Sequence, residues 1–408
     1  MLDRAALEAV YAPRNYDLLW TDSAKAEAVY KVLASAAQHA LNPADYHVDA
    51  IAARLNNRGQ ELDLLLTDAL MRYAVDVRVG RVSPRQVKGF RYNRPQVLDP
   101  VGVVNTALSA PDLPAYLASL PPRSPVYQGL VQVLAKLRLM EATGGWPTIS
   151  DGRKLEPGNV SSRVNELRKR LAATGELGDA QLVEDTTYDS ALVAAVKAYQ
   201  ARNGLEADGV VGRGTRAMLN IPVEYRIKQT IANMERLRWQ PDDLGQRYVY
   251  VNVPAYHLVA SSNGQINLSM KVVVGRPQRA TPIFSDSIRM VEFNPDWHVP
   301  PTIAREDVLP HLRDNPYYAL EVKNVRMYQN GVEVDPATVD WHTADIRKFR
   351  LRAPPGPRNP LGTVKFLFPN RFDVYLHDTS EPSLFVKNDR ALSSGCVRVA
   401  DPASLAKT

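Results

Sequence analysis

The spacing of the apolar residues switches partway along this chain, and that switch limits what the chain can fold into. Up to about residue 243 apolar residues recur at helical spacing, and from Arg247 onward they alternate. A 3.6-residue period lays a stripe along a helix and a 2-residue period lays a face on a strand, so neither half can adopt the other's structure. At 408 residues the chain also exceeds what one ordinary core encloses, so two or three domains are expected. The fold class is therefore multidomain α+β, with helical domains first and a sheet domain last.

In the first region, Leu62 to Val79 (LDLLLTDALMRYAVDVRV), Leu113 to Leu120 and Tyr127 to Met140 predict helices, and breaks are expected at Ser83-Pro84, Asn93-Arg94-Pro95 and Pro121-Pro122. Nothing here has a catalytic pattern, and Trp20, Tyr73 and Trp146 are expected to pack rather than bind. Beyond Gly144-Gly145 the helices shorten. Val164, Leu167 and Leu171 mark one, with Ser161 or Ser162 as its cap; Leu192, Val196 and Tyr199 mark a second, closed by Gly204. The turn Ala207-Asp208-Gly209-Val210-Val211-Gly212 leads to a third, which Thr215 is expected to cap. Taken alone, this pattern fits any small helical bundle. A further helix, Tyr225 to Trp239, is expected to return to the first region.

In the last region Val249, Val251 and Val253 alternate, as does Thr363 to Phe368, and the pairs Asn263-Gly264 and Asn330-Gly331 between apolar runs predict hairpins. These features predict a mostly antiparallel sheet. An insertion interrupts it: Asn294 to Pro301 precedes a short helix over Thr302 to Leu312, and the Pro-rich Pro354 to Pro360 leads back. His298 and His342 lack the HExxH spacing or carboxylate cluster of a metal site, so surface or packing roles are expected.

The chemistry concentrates in Phe372 to Val399 (FDVYLHDTSEPSLFVKNDRALSSGCVRV), which holds the single cysteine, Cys396. Alternation over Phe372 to His377 puts Tyr375 and His377 on one strand face, and alternation over Gly395 to Val399 puts Cys396 with Arg398. A thiol attacks a carbonyl as thiolate, and a nearby imidazole can take its proton and return it to a leaving amine. Asp378 to Ser394 is long enough to loop round and bring His377 beside Cys396. The small run Ser393-Ser394-Gly395 lets backbone N–H groups turn toward an oxyanion; Gly395 and Cys396 amides and the Tyr375 hydroxyl are the candidate donors. Arg398 can pair with a substrate carboxylate or with a structural acid. A lone cysteine and a lone histidine are also ordinary packing residues, and that reading stays open at this point.

Tyr375-x-His377-Asp378, followed by Ser393-Ser394-Gly395-Cys396-Val397-Arg398, resembles the catalytic signature of the L,D-transpeptidases with a YkuD-type catalytic domain, which cross-link bacterial peptidoglycan. More narrowly, it resembles the large periplasmic members that carry a helical scaffold and a peptidoglycan-binding domain; Ser394, where many smaller members have histidine, is usual in that branch. Ala195 to Asn220 likewise resembles the three-helix peptidoglycan-binding module. The resemblance implies a helical scaffold over 1–150 with 223–243 returning to it, a peptidoglycan-binding domain over 158–222, and a β-sandwich catalytic domain over 245–408 whose 299–360 insertion caps the substrate. It implies Cys396 as nucleophile, His377 as proton carrier oriented by the Asp378 carbonyl or side chain, and Tyr375 and Gly395 at the oxyanion. Arg398, Ser394, Ser393 and Trp297 are the implied substrate contacts.

The implied partners are the stem peptides and glycan of peptidoglycan, with carbapenem β-lactams as covalent inhibitors, and the implied location is the periplasm or cell envelope. No metal or cofactor is expected. A hydrolase with the same Cys-His pair remains an alternative, either an L,D-carboxypeptidase or a papain-like peptidase. A catalytically silent wall-binding protein is another.

With 45% hydrophobic and 23% charged residues no run is apolar enough to cross a membrane, and a net charge of +6 favours acidic partners such as anionic wall polymers or membrane surfaces. No zinc finger, aromatic-basic RNA signature or clustered basic helix suggests nucleic acid. One cysteine excludes an internal disulfide. The opening MLDRAALEAVYAPRNY has no basic start followed by an apolar core, so a mature or trimmed chain is expected, and Asp401-Pro402 predicts the start of a helix.

Overall fold

The computed structural model describes residues 3–87, 97–178, 185–241 and 243–408. The chain divides into two compact units, one helical and ending at Asp243, the other sheet-rich and running from Leu244 to Thr408. The Asn93-Arg94-Pro95 break lies outside the described residues.

In the helical unit the apolar run at Leu62 forms a helix over Gln60–Arg78, whose Leu62, Leu66, Leu70, Tyr73 and Val77 enter one core with Trp20, Val29 and Leu33. A buried carboxylate organises its first turn: Asp63 accepts from the Tyr11 hydroxyl at 2.5 Å and from the backbone N–H groups of Leu19 and Trp20 at 2.9 and 2.7 Å. Full hydrogen bonding is what makes a buried charge tolerable. The helix over Val223–Arg238 packs on that over Pro125–Ala142 through Tyr127, Leu134, Val223, Ile227 and Met234.

Three shorter helices, Ser162–Ala173, Ser190–Arg202 and Arg213–Leu219, enclose a separate core of Val164, Leu167, Leu171, Leu192, Val196, Tyr199 and Leu219. Ser161 caps the first, and Gly204 adopts a positive φ of 70° just past the second. The third begins at Gly212, not at a cap supplied by Thr215. Thr215 lies inside that helix and its hydroxyl accepts from the buried Gln200 amide at 3.2 Å. The same Gln200 amide clamps the Asp208-Gly209 turn, donating to Asp208 and accepting from the Gly209 N–H, each at 2.8 Å.

Twelve strands are described in the sheet-rich unit. They are β1 (Arg247–Asn252), β2 (His257–Ser262), β3 (Gln265–Gly275), β4 (Met290–Phe293), β5 (Trp297–His298), β6 (Arg326–Gln329), β7 (Val332–Val334), β8 (Arg350–Ala353), β9 (Val364–Leu367), β10 (Leu376–His377), β11 (Ala391–Ser393) and β12 (Val397–Val399). An eight-stranded sheet runs β1-β2-β3-β12-β10-β9-β4 with β11 paired to β3, and a four-stranded one runs β5-β8-β6-β7. Both Asn-Gly pairs make hairpins, with φ of 52° and 77° at Asn263-Gly264 and 50° and 84° at Asn330-Gly331. The pairing is mixed: β12 lies parallel to β10, and β11 parallel to β3.

The large sheet has one core, built from Leu258, Met270, Val272, Val274, Val364, Phe366, Leu376, Val397 and Val399. Leu405 joins it from the C-terminal helix Pro402–Lys407, which Asp401 caps. The small sheet belongs to a long excursion between the antiparallel neighbours β4 and β9, with its own core of Trp297, Leu312, Met327, Trp341, Leu351 and Leu361. The helical segment of this excursion runs through Pro301–Ile303, a π-turn at Ala304–Val308, and Leu309–Asp314. Buried Asn359 draws its two ends together by donating to the Pro295 carbonyl at 2.8 Å and the Pro354 carbonyl at 3.1 Å.

Candidate active site

The expected strand over Phe372 to His377 is shorter than its alternation suggests, because Asn370 intervenes. Its side chain accepts from the N–H groups of Phe372 and Val374 at 3.0 and 3.3 Å and donates to the Phe368 and Val374 carbonyls at 2.6 and 2.7 Å. An Asx side chain that satisfies backbone groups locally competes with the ladder. The chain turns through Asp373, at φ 53°, and only Leu376 and His377 pair as β10. Tyr375 and His377 still project together, with ring centroids 5.6 Å apart.

Strand β12 then brings the nucleophile candidate alongside. Leu376 pairs with Val397 and His377 with Arg398, and the Val397 N–H donates to the Tyr375 carbonyl at 3.1 Å. Val397 and Val399 enter the core, so half-buried Cys396 and Arg398 share the opposite face. The Cys396 thiol donates to the Asp373 carbonyl across 3.7 Å. Burial pushes that thiol up from its ordinary value, while hydrogen bonds from the Tyr375 amide and hydroxyl and the Lys365 charge pull it back. Tyr375 is itself pushed upward, first by burial and then by the neighbouring thiol, against a hydrogen bond from Trp297.

His377 is buried, and its Nδ1 lies 2.5 Å from the Asp378 carbonyl oxygen. A carbonyl only accepts, so Nδ1 carries the hydrogen and Nε2 keeps its lone pair. Burial, then the Arg398 charge, push the imidazole down to about 3, against the Asp378 hydrogen bond; Lys365 pushes the same way as Arg398. Thiol and imidazole are thus both uncharged near neutrality. The Asp378 carboxylate does a different job: it accepts from the N–H and hydroxyl of Thr363, each at 2.8 Å, and from the Thr379 N–H at 2.7 Å. It sits where a Cβ on residue 362 would be, and Gly362 also has φ of 60°.

The turn before Cys396 is held from inside. Ser393 is buried; its hydroxyl donates to the Cys396 carbonyl at 2.6 Å and accepts from the Gly395 N–H at 3.1 Å. Ser393 is therefore a brace for the turn and not a surface open to substrate, and the Gly395 N–H is already engaged. Among the described residues the Cys396 N–H has no hydrogen-bond partner. Thr281 holds the other side, donating to the Gly395 carbonyl at 2.8 Å while accepting from the Gly275 N–H at 2.9 Å. That approach needs glycine at 275, where an added Cβ would fall 2.6 Å from the Thr281 nitrogen.

Exposed Ser394 accepts from Arg279 at 3.1 Å, and Arg279 reaches Glu306 and Asp307 in the π-turn at 2.6 Å each. Arg398 donates to Glu381 at 2.6 Å and to Thr379 at 3.2 Å, so a structural acid already holds it. Trp297 is 7% exposed and sits in the core of the excursion, against which Tyr375 packs. His298 and His342 lie on the surface.

Sequence reasoning missed Lys365, Thr281 and Arg279. Lys365 pairs with His377 across β9 and β10, and its ammonium lies 4.5 Å from the Tyr375 ring centroid. A charge at an outward position of an alternating strand just before the one that carries His377 was its available signal. Thr281 and Arg279 carried none, since only the folded loop brings them to the cysteine turn.

A thiol at the start of one strand, facing a tyrosine and a neutral histidine that share the parallel neighbour, is an arrangement whose chemistry can carry acyl transfer. Residues 246–408 match the L,D-transpeptidase catalytic domain (YkuD), residues 5–134 match the scaffold domain, and residues 160–219 match the family described as "Putative peptidoglycan binding domain". The chain thus carries a YkuD L,D-transpeptidase catalytic domain together with a peptidoglycan-binding domain and a scaffold domain.

A Haemophilus influenzae protein named "Putative L,D-transpeptidase" is 38% identical over 185 residues, 45% of this chain and 37% of that protein's length. An L,D-transpeptidase structure from Stackebrandtia nassauensis is 16% identical, covering 64% of this chain and 91% of that one with a TM-score of 0.24. One from Xylanimonas cellulosilytica is 18% identical, covering 62% and 90% with a TM-score of 0.17.

Proposed function

We propose that the protein is a peptidoglycan L,D-transpeptidase that works through a Cys396 thioester. The observation that carries this reading is the pairing of β10 with β12 inside a YkuD domain. That pairing sets Cys396 against Tyr375 and sets His377, its Nδ1–H given to Asp378, on the neighbouring rung.

As substrate binds, the Cys396 proton passes to Nε2 of His377 and Sγ attacks the carbonyl of the third residue of a tetrapeptide stem. The Cys396 N–H and the Tyr375 hydroxyl donate to the resulting oxyanion. When the C–N bond breaks, His377 returns the proton to the amine of the departing D-alanine, and a thioester remains. The side-chain amine of the third residue of a neighbouring stem then attacks. A new C–N bond forms, the C–S bond breaks, and the amine proton returns through His377 to the thiolate. The product is a 3-3 cross-link, formed without ATP because the thioester conserves the energy of the cleaved peptide bond.

The peptidoglycan-binding domain supports a wall polymer as substrate and the cell envelope as the place of work. No helix among the described residues is long and apolar enough to cross a membrane. The excursion between β4 and β9 acts as a lid, held near the nucleophile turn by Arg279 and by the contact of Trp297 with Tyr375. Excluding water from the thioester favours transfer over hydrolysis. A carbapenem carbonyl presents the same electrophile, so the β-lactam acylates Cys396.

Mass spectrometry of products from purified disaccharide-tetrapeptide, beside Cys396→Ala, tests this. A cysteine-dependent dimer lacking one D-alanine is expected. Cysteine-dependent tripeptide without dimer would instead make the protein an L,D-carboxypeptidase, and no cysteine-dependent product would leave a wall-binding protein.

A further inference from the structure

Four charged or titratable positions lie in one row across the large sheet. Glu292 on β4 pairs with Lys365 on β9, Lys365 pairs with His377 on β10, and His377 pairs with Arg398 on β12. Directly paired residues point to the same face, and neighbouring strands stand about 4.8 Å apart. Val364, Phe366, Leu376, Val397 and Val399 enter the core, so the whole row faces the other way, toward Cys396 and Tyr375. The histidine is therefore flanked by a cation on each side.

The two cations are held differently. Arg398 has Glu381 at 2.6 Å and Thr379 at 3.2 Å. The Lys365 ammonium has Glu292 only at 3.9 Å, beyond hydrogen-bond reach, and otherwise lies over the Tyr375 ring at 4.5 Å. Its side chain is 17% exposed, and among the described residues it donates no hydrogen bond. An ammonium with three donors and only a long ion pair to Glu292 has donors left over for an anionic ligand. Its pairing with His377 and its place over the Tyr375 ring set Lys365 beside the candidate reacting groups.

We propose that Lys365 is a specificity-determining residue that binds a carboxylate of the donor peptide beside the scissile bond. The inference rests on the thioester reading above and names the group by which that site recognises its donor. A tetrapeptide donor offers a carboxylate in two places near the bond that breaks. One is the terminus of the departing residue, a single residue away; the other is the side-chain carboxylate of a third residue that is a diamino diacid. The chemistry is shared, so the donors tested must separate the two sources. An anion seated there also neutralises one of the cations that oppose protonation of His377, which couples donor binding to the proton transfer that follows.

The test compares wild type, Lys365→Met and Lys365→Arg, following Cys396 acylation on three donors: unmodified disaccharide-tetrapeptide, its C-terminal amide, and the form amidated on the third-residue side chain. On the unmodified donor Lys365→Met is expected to lose kcat/KM by roughly 10- to 100-fold, the range of a charge-assisted hydrogen bond, with the larger part in KM. Lys365→Arg is expected to restore part of it. One of the two amidations should weaken wild type by a similar factor, and its loss and that of Lys365→Met should coincide rather than multiply. That amidation identifies the carboxylate.

If the losses multiply for both amidated donors, Lys365 contacts neither and the proposal is overturned. Alkylation of Cys396 by neutral iodoacetamide gives a separate readout: a loss of the same size there would mean that Lys365 acts through thiol ionisation, which also overturns it. Wild type that is alkylated by iodoacetamide yet acylated by none of the donors would overturn the transpeptidase reading itself, and the proposal with it.

Discussion

Two histidines, one in each unit, meet similar electrostatics and do different things. His39 in the helical unit is pushed down to about 4 by burial and by Arg238; His377 in the sheet unit is pushed down to about 3 by burial and by Arg398. His39 lies nearly parallel to the Tyr127 ring, centroids 6.0 Å apart, with Nδ1 3.3 Å from the Tyr127 hydroxyl. His377 donates from Nδ1 to a backbone carbonyl beside a thiol and a tyrosine. A depressed imidazole thus marks a low-dielectric, cationic surrounding, not a site. The site comes from what the other ring nitrogen can reach, and the lone cysteine lies in the sheet unit.

The sharpest way to break this comparison is to remove each ring. His377→Ala should slow acylation of Cys396 by about 100- to 10,000-fold, the usual contribution of a positioned acid-base group, with the fold retained. His39→Ala should leave that rate unchanged and lower the stability of the helical unit by about 1–2 kcal/mol through the lost ring contact. Intact-mass acylation rates and denaturant melts read the two effects, and an equal loss of acylation from both variants would erase the distinction.

Acid should treat the two histidines alike. Each folded-state value lies below the ordinary 6.5, so the unfolded chain binds more protons as pH falls through the window between them. The stability tied to each neutral ring is complete above about 6.5 and is lost as pH falls toward about 4 for His39 and about 3 for His377. Thermal melts from pH 7.5 to 4 should show a fall that His377→Gln flattens for the sheet unit and His39→Gln for the helical one. At the other end, the raised Cys396 thiol predicts an iodoacetamide rate still climbing beyond pH 9, whereas a preformed thiolate–imidazolium pair would level off near neutrality.

The smallest effect concerns the turn itself. Ser393→Ala deletes the bonds to the Cys396 carbonyl and the Gly395 N–H, and should cost about 1–3 kcal/mol because buried groups lose their partner. Acylation should fall several-fold without changing the pH at which it rises. A shift of that pH would give Ser393 a part in ionising the thiol.

Much of this was legible beforehand, for identifiable reasons. Both Asn-Gly pairs became hairpins, because asparagine and glycine tolerate the positive φ that a two-residue turn imposes. The Leu62 run became the central helix of its core through helical spacing alone. Thr215 misled because a hydroxyl near a helix start suggests a cap, and only the packed bundle shows Gln200 claiming it. Phe372 to Val374 misled because alternation is blind to the Asn370 side chain, which satisfied the backbone first.

The sequence by itself determined which residues share a face: Tyr375 with His377, and Cys396 with Arg398. That follows from strand periodicity, a property of consecutive backbone units that needs no distant partner. Only the tertiary structure decided which strands lie side by side. The parallel pairing of β10 with β12, the placement of Lys365 beside His377, and the desolvation that keeps both thiol and imidazole neutral all depend on contacts between separate segments. Periodicity says which way a side chain points; only the folded sheet says what it meets.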